Sequence, residues 1–438
     1  MAPRFLEKLM FWRKRENPFT LISRDLLEFS QAFSNVTEMD QLVPSVIGKL
    51  RDLIEADEVA LFLINSNSDR FELVHSRSIE LKPQLRLRGD YYFMPEDKLT
   101  RWLLNNRFPF VMSTMGNVFS FFDEEERDIL RFVSTEICLP LEAHNRFIGM
   151  LCIGPKRDGT PYNEVDKQLL AAVCAQAALA FENNRLQQEM IEKERLKREM
   201  EIAGELQQRL LPSVAPAGYP DLDLFGYCIP STEVGGDYFD YFPLDENRLA
   251  LVVGDVAGHG MSAGLLMGMA KSCISTAIKI DPSCEQVMRT LNSLIYELDE
   301  RHALMTFFYA LYEVADHRLT FSNAGHIYPY HYVASEDRLE SLESTSYPLG
   351  IREHYEFNEH TVRIESGDFI ALCSDGFIES RNRRNDEFGF ERLEESIFKH
   401  RRKGSKDVCN GVANDLFDFL SGRTHEDDLT FLVMNVKG

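Results

Sequence analysis

One segment of the chain, from Glu164 to Leu211, contains no proline and a single glycine, Gly204. Because proline breaks helices and glycine weakens them, this composition predicts one long helix or two helices joined near the glycine. Apolar residues recur in it at spacings of three and four: Leu169, Val173, Ala177, Ala180, Leu196, Met200, Ala203, Leu206 and Leu210. This pattern indicates a short coiled coil, interrupted by charges at 192–198, with a helix packed on one domain as the alternative.

Length and composition restrict the class of protein. The 438 residues are enough for two or three domains, and 48 basic against 70 acidic residues give a net charge of −22, which argues against nucleic acid as a partner. The eight cysteines form no CxxC pair, as expected of buried thiols in a reducing compartment. No run of 18 apolar residues occurs, so we expect a cytoplasmic protein without a transmembrane segment.

The first 19 residues form a basic amphipathic segment. Arginines and lysines alternate there with the apolar residues Phe5, Leu6, Leu9, Met10, Phe11 and Trp12. Such a segment can lie on a membrane surface, but docking onto the protein's own first domain or onto a dimer partner is the favoured interpretation.

Residues 20–163 predict an α+β domain. Apolar residues recur at helical spacing from Leu21 to about Ile54. Apolar strand-like runs follow at 58–64, 70–75, 136–141 and 147–154. We expect an antiparallel sheet with helices on one face. Its last strand pair, the connection GPKRDGTPYNEVD and the helix after it resemble the end of a GAF domain.

The GAF resemblance implies a small-molecule sensor or a dimerisation module and leaves the ligand unknown. An aromatic group could close a ligand cavity, although such groups more often belong to a core. Its members are Tyr91, Tyr92, Phe93 and Trp102.

Four aspartates mark the C-terminal half, residues 212–438: Asp237 in VGGDYFDYF, Asp255 in GDVAGHG, Asp375 in CSDGF and Asp427 in HEDDLTFLV. Glycines beside the first three permit sharp turns, and the last three adjoin strand-like runs, so the carboxylates can meet at one sheet edge. An all-oxygen set suits Mg²⁺ or Mn²⁺ rather than zinc. Two such cations activate water for attack on a phosphoryl group, which favours phosphate ester hydrolysis.

The motif series VGGDYFD, GDVAGHG, SNAGH, PLG, SDG and EDDLT resembles, in order, the metal-dependent (PPM) protein phosphatases of the SpoIIE and RsbU type. This resemblance implies an α/β/β/α sandwich and serine/threonine phosphatase activity with two Mn²⁺ or Mg²⁺ ions, usually on a phosphorylated STAS-domain anti-anti-sigma protein. Carried over by position, Asp255 bridges both metals and the Val256 carbonyl adds an oxygen. Asp375 and Asp427 hold one metal, Asp237 holds the other partly through water, and Asp428 supports the ligands.

Other interpretations stay open at this point. His259 and His326 are candidates for proton transfer, with structural roles favoured for both. A catalytically inactive sensor or scaffold of the same fold is the main alternative function. A cyclic-dinucleotide synthase is a poor match, because GGDYF lacks the second acidic residue of the GGDEF loop. We further expect a homodimer formed through the GAF domain and the linker 164–211, whose packing aligns the aspartates.

Overall fold

The computed structural model describes residues 38–65, 68–76, 91–115, 121–258, 260–298 and 304–437. The basic segment 1–19 and His259 lie outside these ranges. The chain divides into two compact units, Met1–Glu194 and Arg195–Gly438.

The first unit is built on a six-stranded antiparallel sheet in the order β3-β2-β1-β6-β5-β4. Its strands are β1 (Val59–Asn65), β2 (Arg70–His75), β3 (Tyr92–Phe93), β4 (Phe110–Val111), β5 (Ile137–Ala143) and β6 (Arg146–Ile153). Its helices are α1 (Met39–Ile54), α2 (Lys98–Asn106), α3 (Glu124–Phe132) and the first part of α4 (Glu164–Gln208).

Both faces of this sheet are covered, so the prediction of helices on one face was wrong. Leu61 of β1 packs in a core with α1 and α4, whereas the next residue, Phe62, packs in a second core with Leu103 of α2 and Ile129 of α3. The error arises because α2 and α3 are short and only their few buried residues reveal the second layer. Strand alternation sends successive side chains to opposite faces, which fixes the two cores.

Three members of the aromatic group of the first unit, Tyr91, Phe93 and Trp102, pack in the second core. Tyr91 stacks on Phe132 with ring centroids 4.1 Å apart, Phe93 meets Phe62 edge-on, and Trp102 lies 4.9 Å from Phe110. These contacts favour the core interpretation of the group.

Helix α4 is continuous from Glu164 to Gln208, which decides between the one-helix and two-helix alternatives. Its first turns bury Leu170, Val173, Ala177 and Phe181 in the core of the first unit. Residues 186–199 are then exposed on every side of the helix.

The second unit contains two five-stranded antiparallel sheets. The first has the order β14-β11-β10-β9-β8 and the second the order β13-β12-β15-β16-β7. The strands are β7 (Leu222–Ile229), β8 (Asp237–Pro243), β9 (Arg248–Val256), β10 (Met305–Glu313), β11 (Arg318–Ala324), β12 (Tyr330–Val333), β13 (Arg338–Ser341), β14 (His360–Arg363), β15 (Phe369–Cys373) and β16 (Leu429–Val436). The helices are α5 (Met261–Ile280), α6 (Cys284–Glu297), α7 (Gly376–Glu379), α8 (Gly389–His400) and α9 (Ser405–Leu420).

These elements form the predicted α/β/β/α sandwich. Leu251 of β9 and Leu432 of β16 meet in the core between the two sheets. Val252, one residue along β9, instead packs with α5 and α6 on the outer face, and Val433 packs with α8 and α9 on the other. Period-two alternation therefore places each strand between two cores, and the strand ends are left to carry polar side chains.

Helix α5 is the one helix in the described ranges that is long and apolar enough to cross a membrane by length and composition. Core helices of soluble proteins pass the same test, and Met267, Ala270 and Ile274 of α5 lie in the core against the first sheet.

Candidate active site

Asp237 and Asp255 face each other across neighbouring strands. Asp237 is the first residue of β8 and pairs in register with Asp255, near the end of β9. Asp237 is 3% exposed, and its Oδ2 has no hydrogen-bond partner. Burial, followed by the charge of Asp255, raises the pKa of Asp237 well above its usual range, and the hydroxyls of Thr430 and Ser374 offset part of this rise. A buried carboxylate oxygen without a donor is costly unless a cation neutralises it.

Gly236 leaves space between the oxygens of this strand pair. A Cβ at Gly236 would lie 2.7 Å from the Val256 carbonyl oxygen and 3.0 Å from Asp255 Oδ1. The two oxygens therefore converge on one point, and only glycine fits beside them. The predicted contribution of the Val256 carbonyl is compatible with this geometry.

Asp375 and Asp427 come from the second sheet. Asp375 lies two residues after the end of β15 and directly precedes the short helix α7, while Asp427 lies two residues before β16. Because β15 and β16 are antiparallel neighbours, the end of one strand lies beside the start of the other. Asp427 is exposed and its Oδ1 accepts the Asp428 amide at 2.8 Å.

The charges of Asp375 and Asp427 act on Asp255, which belongs to the other sheet. Burial raises the pKa of Asp255 to about 8, with further contributions from the charges of Asp375 and then Asp427. Burial likewise raises the pKa of Asp375 to about 6, followed by the effects of Asp427 and Glu379. Like charges destabilise the ionised form only at short range, so the structure brings the carboxylates of both sheets to one edge of the sandwich.

Asp428 differs from its neighbour Asp427. It is 4% exposed, and its carboxylate accepts the backbone amides of Ser231 at 2.7 Å, Gly236 at 2.7 Å and Asp237 at 3.3 Å. Its charge is thus satisfied by the chain itself, and it ties the loop before β8 to the start of β16. This agrees with the supporting role given to Asp428.

The donor set fits hard divalent cations, although it is not preassembled. Within the described ranges, no group of three or more His, Cys, Asp or Glu side chains has the spacing of a formed metal site. The unpartnered Oδ2 of Asp237, the oxygens beside Gly236 and the mutually repelling carboxylates are nonetheless all oxygen donors that cations would satisfy. Such a set suits Mg²⁺ or Mn²⁺.

Comparison with known proteins assigns the fold to a family. Phosphoserine phosphatase RsbU of Bacillus subtilis (strain 168) is 30% identical over 245 residues, which are 55% of this chain and 71% of RsbU. The family model of stage II sporulation protein E (SpoIIE) matches residues 245–437. The chain belongs to the SpoIIE family of serine/threonine protein phosphatases.

This SpoIIE-family protein also matches a second family model, a second phosphatase and a solved structure. A GAF domain model matches residues 38–183, which confirms the predicted GAF domain. Phosphoserine phosphatase RsbP of the same Bacillus strain is 28% identical over 187 residues, 42% of this chain and 46% of RsbP, so the chain spans less than half of that relative. The SiaA-PP2C domain of Pseudomonas aeruginosa aligns with 56% of this chain and 98% of its own length, with 19% identity and a TM-score of 0.49.

His326 lies next to the site of the SpoIIE-family unit as a neutral, buried ring. Its Nδ1 is 2.8 Å from the hydroxyl of Thr306, which pairs in register with Asp255, and its Nε2 has no hydrogen-bond partner. Burial lowers the pKa of His326 to about 4. Asn323 closes the SNAGH turn. Its Oδ1 accepts the His326 amide at 2.8 Å, and its Nδ2 donates to the His326 carbonyl at 2.9 Å.

The end of helix α4 also contacts the site loop, which the sequence did not reveal. Gln207 Nε2 donates to the Gly235 carbonyl at 2.7 Å, and its Oε1 accepts the Gly235 amide at 3.0 Å. A Cβ on Gly204 would lie 1.8 Å from the Glu233 carbonyl oxygen. The last two turns of α4 therefore pack directly on the loop that leads to Asp237.

Glu379 is another residue that the sequence analysis missed. Its charge contributes to the raised pKa of both Asp255 and Asp375. Its position four residues after Asp375, one helical turn along, is the signal that could have identified it.

Proposed function

We propose that this SpoIIE-family protein hydrolyses phosphoserine or phosphothreonine on a partner protein with the help of two Mn²⁺ or Mg²⁺ ions. A phosphorylated STAS-domain anti-anti-sigma protein is the proposed substrate. The observation that carries the proposal is the meeting of carboxylates from both sheets: Asp255 pairs in register with Asp237, and Asp428, next to Asp427, accepts the amides of Gly236 and Asp237.

The residues divide between the two cations as follows. Asp255 would be shared by both ions, with the Val256 carbonyl as a further oxygen donor; Asp375 and Asp427 would hold one ion, and Asp237 would hold the other. When bound, such ions neutralise phosphoryl charge and lower the pKa of water so that it can attack phosphorus.

Other residues of the chain hold these ligands in place. Asp428 fixes the backbone amides of Gly236 and Asp237, so the Asp237 carboxylate is presented from a rigid strand start. Gly236 keeps the space beside the Val256 carbonyl open. These contacts fix the start of β8, so the Asp237 carboxylate itself needs little rearrangement when a cation binds.

A phosphatase assay tests this function. Wild-type protein with Mn²⁺ is expected to hydrolyse a generic aryl phosphate, and Asp375→Asn is expected to lose at least about a hundredfold in kcat because one metal ligand is weakened. Asp418→Asn, an exposed aspartate on α9, is the matched control. If wild type binds Mn²⁺ in calorimetry yet turns over neither aryl phosphate nor phosphoprotein, the inactive scaffold is the correct function.

We also propose that the GAF domain regulates the site through α4 and that the protein is a homodimer. Residues 186–199 of α4 are exposed all round, so the apolar side chains of this stretch are not packed in a core within the described part of the chain. A second copy of the helix supplies that packing through the apolar pattern at Leu196 and Leu206, which are 48% and 57% exposed. The Gln207 contacts connect the helix to the site loop.

Light scattering tests the dimer. The wild type is expected to have twice the mass of the chain, and Leu196→Glu to shift the equilibrium towards the monomer because it places charge in the helix pair. Glu199→Gln, an exposed change on the same helix, serves as control. A wild-type monomer would exclude this model of regulation.

A further inference from the structure

Residues 381–387 form a tight turn that presents two arginines, and we refer to it as the arginine turn. The Asn382 carboxamide oxygen accepts the backbone amides of Arg384 at 2.8 Å and Asp386 at 3.0 Å. Asn385 adopts a left-handed backbone with φ of 67°, and Arg381 pairs with Glu387 across the base. Asparagine tolerates this backbone conformation and its side chain closes such turns, so the turn has a defined shape.

The arginine turn is joined to the segments that carry two of the site carboxylates. It begins two residues after the end of α7, the short helix that follows Asp375. Arg423 donates to the Asn382 carbonyl at 3.0 Å and pairs with Glu426, the residue before Asp427. A Cβ on Gly422 would lie 3.3 Å from Arg383 Nη2, so this guanidinium lies against the same loop.

Arg383 and Arg384 are both exposed cations. Among the residues that the structure describes, neither side chain takes part in an ion pair, whereas Arg381 and Arg423 nearby both do. The whole chain has a net charge of −22, and the adjacent site is lined by carboxylates. A negatively charged phosphoprotein approaching this edge is therefore repelled by the bulk of the protein and attracted by these two arginines.

We propose that Arg383 and Arg384 bind acidic residues that flank the phosphorylated serine or threonine of the substrate protein. The proposal rests on the proposed phosphatase function and adds a preference within it. Guanidinium groups bind carboxylates with paired hydrogen bonds, and they keep their charge at all physiological pH values. The fixed turn limits the conformational entropy lost on contact, and its attachment to the loop of Asp427 places recognition beside the reacting phosphate.

Two phosphoserine peptides test this preference, one flanked by glutamates and one by serines and glycines. With Mn²⁺ and low salt, wild type is expected to show a kcat/KM about three- to tenfold higher for the acidic peptide, the range expected for two exposed charge pairs. In R383A/R384A the ratio is expected to fall to near one, mainly through a higher KM. Physiological salt is expected to reduce the wild-type ratio, because exposed charges are screened.

Charge reversal and a distant control complete the experiment. R383E/R384E is expected to favour a lysine-flanked peptide over the acidic one. The control R289A/R363A removes two exposed arginines on α6 and β14 and is expected to keep the wild-type ratio.

Each outcome separates the two proposals. Turnover of both peptides by wild type without a preference, a preference retained in R383A/R384A, or an equal loss on both peptides in that variant would overturn the role of the arginine turn alone. Absence of wild-type turnover on either peptide and on aryl phosphate would refute the phosphatase function, and with it the docking role.

Discussion

Replacing Asp428 by asparagine destabilises the C-terminal unit, whereas the same change at Asp427 leaves its stability nearly unaltered. The two residues are adjacent and differ only in surroundings: Asp428 is buried and accepts three backbone amides, and Asp427 is exposed and accepts one, that of Asp428. The two substitutions are thus a matched pair: one tests the role of Asp428 in holding the backbone, and the other tests the role of Asp427 as a metal ligand.

The size of the effect follows from the hydrogen bonds. Asparagine keeps one acceptor oxygen and turns an NH₂ group towards the amides formerly bound by the other, so either the Ser231 amide or the Gly236 and Asp237 amides lose their acceptor. A hydrogen bond to a charged group contributes about 1.5–3 kcal/mol, and an unsatisfied buried amide costs a similar amount, which gives a loss of about 2–4 kcal/mol. For a unit of this size the midpoint of thermal unfolding falls by roughly 4–16 °C.

Differential scanning calorimetry in EDTA measures this change, and Mn²⁺ titration calorimetry measures ligation. We expect Asp428→Asn to lower the unfolding temperature, and Asp427→Asn to keep it within about 2 °C, as for most exposed substitutions, while weakening Mn²⁺ binding at least about tenfold. The reasoning is refuted if Asp428→Asn unfolds at the wild-type temperature, or if Asp427→Asn is the destabilised variant.

Three further changes have defined outcomes. Gly236→Ala places a Cβ 2.7 Å from the Val256 carbonyl oxygen and is expected to weaken Mn²⁺ binding at least about tenfold by calorimetry; unchanged affinity would contradict the ligand geometry. Gln207→Ala removes both bonds to the site loop and is expected to change kcat of the full chain several-fold, whereas the exposed Gln208→Ala is neutral; equal kcat values would argue against coupling. Metal-free protein is expected to lose stability as pH rises from about 4 to 8, because the native pKa of Asp255 is raised to about 8 while its unfolded pKa is near 4, and Asp255→Asn should flatten this slope in urea titrations.

Most elements of the fold are predictable from the sequence because their burial is periodic. The strand over 70–75 has the predicted bounds, and the predicted strands 58–64 and 147–154 differ from β1 and β6 by one residue at each end. The second helical layer of the GAF unit is not predictable in this way, because α2 and α3 have nine residues each and bury only three apiece. Short helices carry too few apolar repeats to reveal which face of a sheet they cover.

Only those features of the candidate site that depend on local sequence motifs were predictable. Glycines and strand ends beside Asp237, Asp255 and Asp375 indicate that the carboxylates can converge. The different surroundings of Asp427 and Asp428 depend on which backbone amides lie nearby, and these belong to residues almost 200 positions earlier in the chain. Long-range contacts of this kind, like that of Gln207 with Gly235, leave no periodic pattern in the sequence.

The exposed stretch 186–199 of α4 has a consequence for how such chains can be recombined. Seven residues span nearly two full helical turns, so adding or deleting seven in this stretch rotates the downstream helix by only about 20°. Among the described residues, the buried core of neither unit includes a residue of this stretch, so such a change leaves the packing of both cores intact. Sensor modules are thus exchangeable ahead of the catalytic unit in steps of seven residues, whereas intermediate lengths would rotate the part of the helix before the change relative to the part that carries Gln207.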